Sequence, residues 1–253
     1  MNLSVSPDVL VSFLLISTRM AATLQVAPPF NGGLVPSRIR VGLSVAIGIL
    51  MAGGDTDPNV PLEIPGLTLA IISQVVVGLV FGFMIQLLLA AFQVAGSMID
   101  LSAGLTAGAL YDPITQSQSA VVGRMYQLVS FALLVAIDGH LMIVQGVMRS
   151  YEVNPTGILR SDALGPALSD AAGQLLIAAL EVAFPVLAAL MLSEVALAIA
   201  SRAAPKMNIM AVGFGVKSLV TFVTLGLGLP LIANATTNLL EEGLRNGAGL
   251  IGG

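Results

Sequence analysis

Long runs of apolar residues, separated by short polar stretches, dominate the pattern along this chain. Six apolar blocks lie at about 9–27, 41–54, 67–95, 120–148, 172–200 and 209–235. A helix that crosses a membrane needs about 20 predominantly apolar residues, and the third to sixth blocks are long enough. The second block is short and glycine-rich, and the first contains Arg19. The pattern predicts an all-α, membrane-associated protein with about six hydrophobic segments arranged as helical hairpins.

The prolines and acidic residues gather in the connections between the blocks. The segment from Asp55 to Pro65 contains several of both, which predicts an extended loop because proline disfavours helix at itself and at the preceding residue. No proline lies between Pro65 and Pro113, and no charged residue lies between Glu63 and Asp100. The third block is therefore predicted to form one long, unbroken helix that extends past its apolar core.

The composition excludes an ordinary soluble domain. Hydrophobic residues make up 56% of the 253 residues and charged residues only 9%, whereas a soluble domain contains about 25% charged residues. The chain has no cysteine, which excludes disulfides, thiolate metal sites and thiol catalysis. Its net charge of −4 is spread thinly, with no run of either sign, which argues against a nucleic-acid partner.

Small residues at helical spacing predict close packing between helices. Gly78 and Gly82 are four residues apart in the third block and so lie on one face of a helix. Such faces let the backbones of two membrane helices approach each other. The pattern indicates packing at Gly78 and Gly82 but does not identify the neighbouring helix.

Ionisable residues in or beside apolar blocks need a partner or a function. Each costs about 2.5–3.5 kcal/mol at the centre of a membrane helix on insertion scales. The candidates are Arg19, Asp138, His140, Glu181, Glu194, Arg202 and Lys217. One hypothesis is a proton or ion path. The other, which we favour, is polar pairing between helices or subunits, for example of Glu181 or Glu194 with Lys217.

The sequence contains little that suggests catalysis. His140 is the only histidine, and Asp138 with His140 supplies too few ligands for a zinc site. The chain lacks the G-x-S-x-G elbow of serine hydrolases, the phosphate-binding loop and the dinucleotide-binding fingerprint. We therefore predict no catalytic residues, no cofactor and no metal site, and a protein that is not an enzyme.

Several short motifs stand in order along the chain. The N-terminal half contains Arg19, Pro28-Pro29-Phe30, Pro36, Arg38, Gly96-Ser-Met-Ile-Asp100, Gly104 and Asp112-Pro113. The rest contains Asp138-Gly-His140, Ser150-Tyr151, Pro155-Thr-Gly157, Phe184-Pro185, Glu194, Ser201-Arg202 and Ala204-Pro205-Lys206-Met207-Asn208. Together these motifs resemble the FliR family, whose members are the R-type subunits of the flagellar type III export gate. Two departures are conservative: Tyr151 stands where the family often has Phe, and Glu194 where Asp is common.

The resemblance implies a place in a larger assembly at the bacterial inner membrane, within the flagellar basal body. Residues 1–170 would be a P-like helical part and 171–253 a Q-like helical hairpin. The implied partners are P-type and Q-type gate subunits, A-type and B-type export proteins, unfolded export substrates and membrane lipid. A separate ATPase complex would lie nearby. The Asp112-Pro113 and Asp138-Gly-His140 patterns favour a flagellar apparatus over an injectisome.

The polar segment at about 100–119 is predicted to close the pore at rest. A pore for unfolded chains has to be sealed against ions, and a loop of small and polar residues can fill it and then move aside. Glycines loosen the helix here and an Asp-Pro pair ends it. The residues assigned to this pore-closing loop are Asp100, Gly104, Gly108, Tyr111, Asp112 and Pro113. The alternative is an ordinary polar connection between two helices.

Two other classes of function compete with the export gate. An autonomous transporter or channel for a small solute would use broken helices and intramembrane acids as its binding site, but no internal repeat is visible in the sequence. An intramembrane enzyme is the weaker alternative, because no nucleophile, base and orienting group can be assembled from these residues.

Overall fold

In a computed structural model, the structure describes residues 7–31, 35–52, 63–106, 121–157, 161–204, 206 and 208–251. All regular structure within these ranges is helical, which confirms the predicted all-α class. The α-helices in these ranges are α1 (Pro7–Val26), α2 (Ser37–Ala52), α3 (Ile64–Leu89), α4 (Ala91–Ala103), α5 (Val121–Ala136), α6 (Gly139–Val153), α7 (Ser161–Ala203) and α8 (Ile209–Ile251).

The third apolar block forms two consecutive helices rather than the single unbroken helix predicted for it. The interruption between α3 and α4 is one residue, Ala90, with φ −65° and ψ −15°. An α-helical residue has ψ of about −42° and a 3₁₀-helical residue about −25°, so the backbone of Ala90 is closer to 3₁₀ than to α geometry. The hydrogen-bond ladder is therefore irregular at one position, and helix then continues past Gly96 to Ala103.

The fourth block is also divided, and its break lies at the Asp138-Gly139 pair. Asp138 has φ +58°, in the left-handed region that Asp tolerates better than most residues. Gly139 is buried, and a Cβ atom there would lie 2.7 Å from Leu240 Cδ2 and 2.9 Å from the Leu134 carbonyl oxygen. The left-handed backbone thus explains why Asp is suited to position 138, and the lack of space explains why Gly is suited to position 139.

Several helices have the length and apolar character of membrane spans. Among the described residues these stretches are Pro7–Val26, Ile64–Ala103, Leu164–Ala203 and Ala211–Leu250. The α5–α6 pair is a fifth candidate if it counts as one broken span. Helix α2 has 16 residues, which is shorter than the about 20 that a span needs.

The chain divides into two compact units. Unit 1 consists of Met1–Leu88, Leu134–Ala172 and Leu239–Gly253, and unit 2 of Leu89–Leu133 and Gly173–Asn238. The predicted division between residues 170 and 171 lies inside α7, which is one helix from Ser161 to Ala203. The assignment of a P-like and a Q-like part stays a prediction.

Unit 1 is built around α1. A cluster of buried side chains joins Leu15 and Ile16 of α1 to Ala70 of α3 and Tyr151 of α6. Helix α1 also packs against α2. The core of unit 1 therefore consists of the contacts that α1 makes with α2, α3 and α6.

Helices α1 and α3 approach so closely that their backbones touch at the two glycines of α3. A Cβ atom at Gly78 would lie 2.5 Å from the Arg19 carbonyl oxygen, and one at Gly82 would lie 2.8 Å from that of Thr23. The Thr23 hydroxyl donates a hydrogen bond to the Gly78 carbonyl, at 3.1 Å. The neighbour of the Gly78–Gly82 face is thus α1.

In unit 2, α7 and α8 present many large apolar side chains to the surroundings. On α7 the exposed residues include Leu176, Ile177, Leu180, Phe184, Met191, Leu192, Val195 and Ile199. On α8 they include Phe214, Leu219, Phe222, Val223, Leu227 and Leu231. Monomeric soluble proteins rarely expose contiguous apolar patches of this kind, so these faces are suited to lipid or to other chains.

Candidate functional site

Asp100 fastens the end of α4 to the beginning of α5. Its carboxylate is fully buried and accepts hydrogen bonds from the Val122 amide at 2.9 and 3.1 Å and from the Gly123 amide at 3.1 Å. The first amides of a helix have no partner within the helix and carry partial positive charge. Asp100 therefore satisfies and neutralises the start of α5, although it lies more than 20 residues earlier in the chain.

Two glycines bring the backbones of α4 and α5 together next to this carboxylate. A Cβ atom at Gly96 would lie 2.3 Å from Gly123 Cα and 2.5 Å from Gly123 N. No side chain fits between the two helices at this level. We call the contact formed by Gly96, Asp100, Val122 and Gly123 the α4–α5 clamp.

Helix α4 extends further into the predicted pore-closing loop than the sequence indicated. Asp100 lies in its last turns, and Gly104, with φ +75°, forms its left-handed C-cap. A glycine is favoured here because it adopts this conformation without steric cost. Gly108, Tyr111, Asp112 and Pro113 lie outside the described residues. The pore-closing role of this segment stays a prediction.

Arg19 forms the centre of a buried polar cluster in unit 1. The residue is 1% exposed. Nε donates to Gln74 Oε1 at 2.6 Å, Nη1 to Ser150 Oγ at 3.2 Å and Nη2 to the Asn154 carbonyl oxygen at 2.7 Å. The guanidinium also stacks over the Tyr151 ring, with Cζ 5.2 Å from the ring centroid. Through these contacts, one side chain of α1 joins α3, α6 and the turn that follows α6.

The Asn154–Gly157 turn is held against α3 by a second set of hydrogen bonds. Gln74 Nε2 donates to the Pro155 carbonyl at 2.8 Å, and Ser73 Oγ donates to the Thr156 carbonyl at 3.1 Å. Gly157 has φ +73°, and a Cβ atom there would lie 2.9 Å from Gln74 Nε2. The Ser150-Tyr151 and Pro155-Thr-Gly157 motifs therefore belong to the same cluster as Arg19.

The contacts of Arg19 that the structure describes are all with neutral groups. An unpaired buried charge is costly, but the guanidinium has five N–H donors that can be spread over several acceptors. Here the side-chain amide, the hydroxyl and the carbonyl take that role, and the tyrosine ring covers one face. The cluster is suited to holding helices together rather than to transferring a proton.

Glu194 and Lys217 form the interhelical pair in the α7–α8 hairpin. Lys217 Nζ donates to Glu194 Oε1 at 2.5 Å, with 23% of the lysine side chain and 54% of the glutamate side chain exposed. A pair this exposed contributes little stability in water. Glu181, the alternative partner proposed for Lys217, is exposed on α7.

The other predicted assembly contacts lie at or near the surface of this chain. Asp138 and Arg202 are exposed and His140 is half-buried, whereas Arg19 is buried within the chain itself. The role of the exposed groups as assembly contacts stays a prediction. Within the described ranges, no three His, Asp or Glu side chains come together as metal ligands.

The sequence predicted no contact for Gln74, Ser150, Gly96 or Gly123, although Gly96 and Ser150 stand in the motifs that carry the family resemblance. Only ionisable groups inside apolar blocks were expected to need a polar partner, and all four of these residues are uncharged. The signal for Gln74 was present, since a side-chain amide within an apolar helix also needs a hydrogen-bond partner. The contact between Gly96 and Gly123 joins two blocks, and one sequence does not identify such a pair.

Comparison with known proteins agrees with the resemblance seen in the motifs. Residues 10–243 match the model of a family described as bacterial export proteins, family 1. The flagellar biosynthetic protein FliR of Pectobacterium carotovorum subsp. carotovorum is 32% identical over 233 residues, which cover 88% of this chain and 86% of the relative. FliR of Bacillus subtilis (strain 168) is 26% identical over 258 residues, or 97% of both chains.

A relative with a different name also matches. The surface presentation of antigens protein SpaR of Shigella flexneri is 28% identical over 208 residues, covering 80% of this chain and 78% of the relative. The family match extends over nearly all described helices, including the α4–α5 clamp and the Arg19 cluster. The chain therefore belongs to bacterial export protein family 1, the family of the flagellar biosynthetic protein FliR.

Proposed function

We propose that this protein is a non-enzymatic core subunit of the flagellar type III protein export gate in the bacterial inner membrane. Together with P-type and Q-type subunits it forms the closed pore through which unfolded flagellar proteins pass. Family membership and the FliR names of its relatives support the export apparatus. The span-length apolar helices support a membrane location.

The observation that carries the pore-closing role is the α4–α5 clamp. The clamp residues flank the segment that contains Gly108, Tyr111, Asp112 and Pro113: two of them precede it in the chain and two follow it. A pore-closing segment has to move while the rest of the subunit stays in place. With its two flanking helix ends fastened to each other, the segment can change conformation without separating α4 from α5.

The exposed side chains of α7 and α8 support assembly with other subunits. These helices present large apolar residues and the exposed carboxylate of Glu181 to the surroundings. A carboxylate beside Ile177, Leu180 and Phe184 is costly in lipid and is better satisfied by a partner chain. We assign this surface to P-type and Q-type neighbours, with A-type and B-type export proteins completing the apparatus.

The pore-closing role is tested by replacing residues 107–120 with a short Gly-Ser linker. The clamp is left intact, so α4 and α5 are expected to keep their contact. The assembled complex, reconstituted in a planar bilayer, should then conduct ions with the gate at rest. As a matched control, residues 53–62 are replaced by a Gly-Ser linker, which should leave the resting conductance low. An assembled complex that stays closed after replacement of 107–120 would contradict the role.

A further inference from the structure

A groove of about 640 Å³ lies within unit 1, and none of its lining residues belongs to the α4–α5 clamp or to the predicted pore-closing segment. It is lined by residues of α3, α6 and the last turns of α8, including Phe81, Met142, Arg149, Leu244 and Arg245. Its volume lies within the range of about 300–1000 Å³ that is typical of small-molecule sites. The groove is thus large enough to hold a substantial part of one small amphiphile.

The lining of the groove combines an apolar surface with two cations. Met142, Val153 and Leu244 contribute apolar surface, while Arg149 and Arg245 are exposed. Arg245 lies 3.6 Å from Glu242 on the same helix, but 77% of its side chain remains exposed. Arg149 has no ion-pair partner among the described residues. The groove therefore keeps a net positive charge beside a surface that is suited to hydrocarbon.

The groove has a rigid base and an open face. Ser150 lines it and accepts a hydrogen bond from Arg19 Nη1 at 3.2 Å, so the Arg19 cluster fixes this part of α6. A Cβ atom at Gly146 would lie 2.9 Å from Leu244 Cδ2, which shows that α6 and α8 are in close contact there. Above Gly249, by contrast, no atom lies within 4 Å of a Cβ position.

We propose that this groove binds one anionic phospholipid. The phosphate lies between Arg149 and Arg245, and an acyl chain lies along Met142, Val153 and Leu244. Basic pockets between membrane helices are suited to anionic headgroups because the cations compensate the phosphate while the helices cover the chains. Arginine suits this role through its planar, bidentate donor groups. Helices α3 and α8 belong to span-length apolar stretches, so the groove lies on elements that are suited to contact with lipid.

The test is native mass spectrometry of the full chain in a non-ionic detergent, titrated with either phosphatidylglycerol or phosphatidylcholine. The wild-type chain should retain one phosphatidylglycerol at collision energies that remove phosphatidylcholine. The double variant Arg149→Gln/Arg245→Gln should lower phosphatidylglycerol occupancy about tenfold or more, because each arginine contributes to anionic-lipid binding. Arg124→Gln, at an exposed arginine of α5 outside the groove, should bind as the wild type does.

A second variant separates loss of the site from loss of the fold. Gly249→Leu adds a side chain where there is room for it and fills the groove while both arginines remain. It should unfold at the wild-type temperature and still lose phosphatidylglycerol. Equal retention of the two lipids, or unchanged binding in both variants, would overturn the proposal. A third outcome would also overturn it: the assembled complex contains no phosphatidylglycerol, and the double variant loses a partner subunit. In that case a protein chain, and not a lipid, would occupy the groove.

Discussion

The buried guanidinium of Arg19 shows how one residue can join four segments of a membrane protein. Its three hydrogen bonds reach α3, α6 and the Asn154 turn, and its ring contact reaches Tyr151. None of these partners is a carboxylate, so the cation is stabilised by neutral dipoles and a ring face. Arg19, Ser150-Tyr151 and Pro155-Thr-Gly157, which are separate motifs in the sequence, therefore form one cluster in the structure.

Replacing Arg19 with Ala should lower the free energy of unfolding by about 2–5 kcal/mol, because Gln74 Oε1 and the Asn154 carbonyl lose their donor. Arg19→Lys should recover only part of the loss, since an ammonium lacks the planar fork that reaches several acceptors. Thermal or denaturant unfolding of the purified chain in detergent measures the effect. Arg38→Ala, at an exposed position, serves as the control. Equal stability of Arg19→Ala and Arg38→Ala would refute the structural role of the cluster.

Replacing Asp100 is expected to affect both the stability of the chain and the closure of the pore. Asp100→Ala removes the acceptor from two buried amides and should cost about 1–3 kcal/mol. Because the clamp lies at the base of the predicted pore-closing segment, the variant should also raise the resting ion conductance of the assembled complex. Asp100→Asn keeps one acceptor oxygen and should give a smaller effect on both measurements. A destabilised variant whose complex stays sealed would separate the clamp from pore closure.

At the scale of helices, the glycine face of α3 determines how closely α1 can pack. A methyl group at Gly78 would meet the Arg19 carbonyl and Ala22 Cβ, at 2.5 and 2.8 Å. Carbonyl and backbone atoms cannot move aside as a flexible side chain can. Gly82 has the same relation to Thr23 one turn further on. The two residues therefore work as a pair in a single helix crossing.

Gly78→Ala should lower the free energy of unfolding by about 1–3 kcal/mol through overpacking. Gly42→Ala in α2 is the matched control, because no atom lies within 4 Å of its Cβ position. That control should be neutral or stabilising by up to about 1 kcal/mol, since Ala is the better helix former. The two variants are compared by unfolding in the same detergent. A loss of stability in Gly42→Ala as large as in Gly78→Ala would contradict the assignment.

The positions of the helices followed from the sequence more readily than their breaks. Apolar blocks of span length predict helices because a backbone in lipid has to satisfy its own hydrogen bonds. The break at Ala90 has no such signal, since alanine is the strongest helix former. The break at Asp138 depends on a left-handed conformation that Asp adopts only in some contexts. Length and apolar character thus predict a helix, whereas tertiary context determines where it ends.

The polar clusters were less predictable than the helices for a related reason. A charge in an apolar block shows that a partner is needed, and Arg19 was identified in this way. The partner itself depends on which helices meet, and Gln74, Ser150 and Asn154 are 55, 131 and 135 residues away from Arg19. Asp100 was assigned to a loop for the same reason, because nothing local shows that it accepts hydrogen bonds from the start of α5.

On the scale of the whole molecule, the surface is the main argument that the chain does not act alone. Large apolar side chains and the carboxylate of Glu181 share the exposed face of α7. Lipid satisfies the first but not the second, whereas a neighbouring subunit can satisfy both. The pair Glu194–Lys217 also lies near the surface, where a neighbour would exclude water and strengthen it. A hetero-oligomer would thus bury the apolar side chains, the carboxylate of Glu181 and the Glu194–Lys217 pair, all of which the isolated chain leaves exposed or partly exposed.

The most direct test of the central claim is native mass spectrometry of this chain, tagged and co-expressed with candidate P-type and Q-type subunits. We predict a large detergent-purified complex that contains one copy of this chain and several copies of each partner. A stable monomer or homodimer that binds neither partner would refute the role as a gate subunit and would make an autonomous small-solute transporter the function to test.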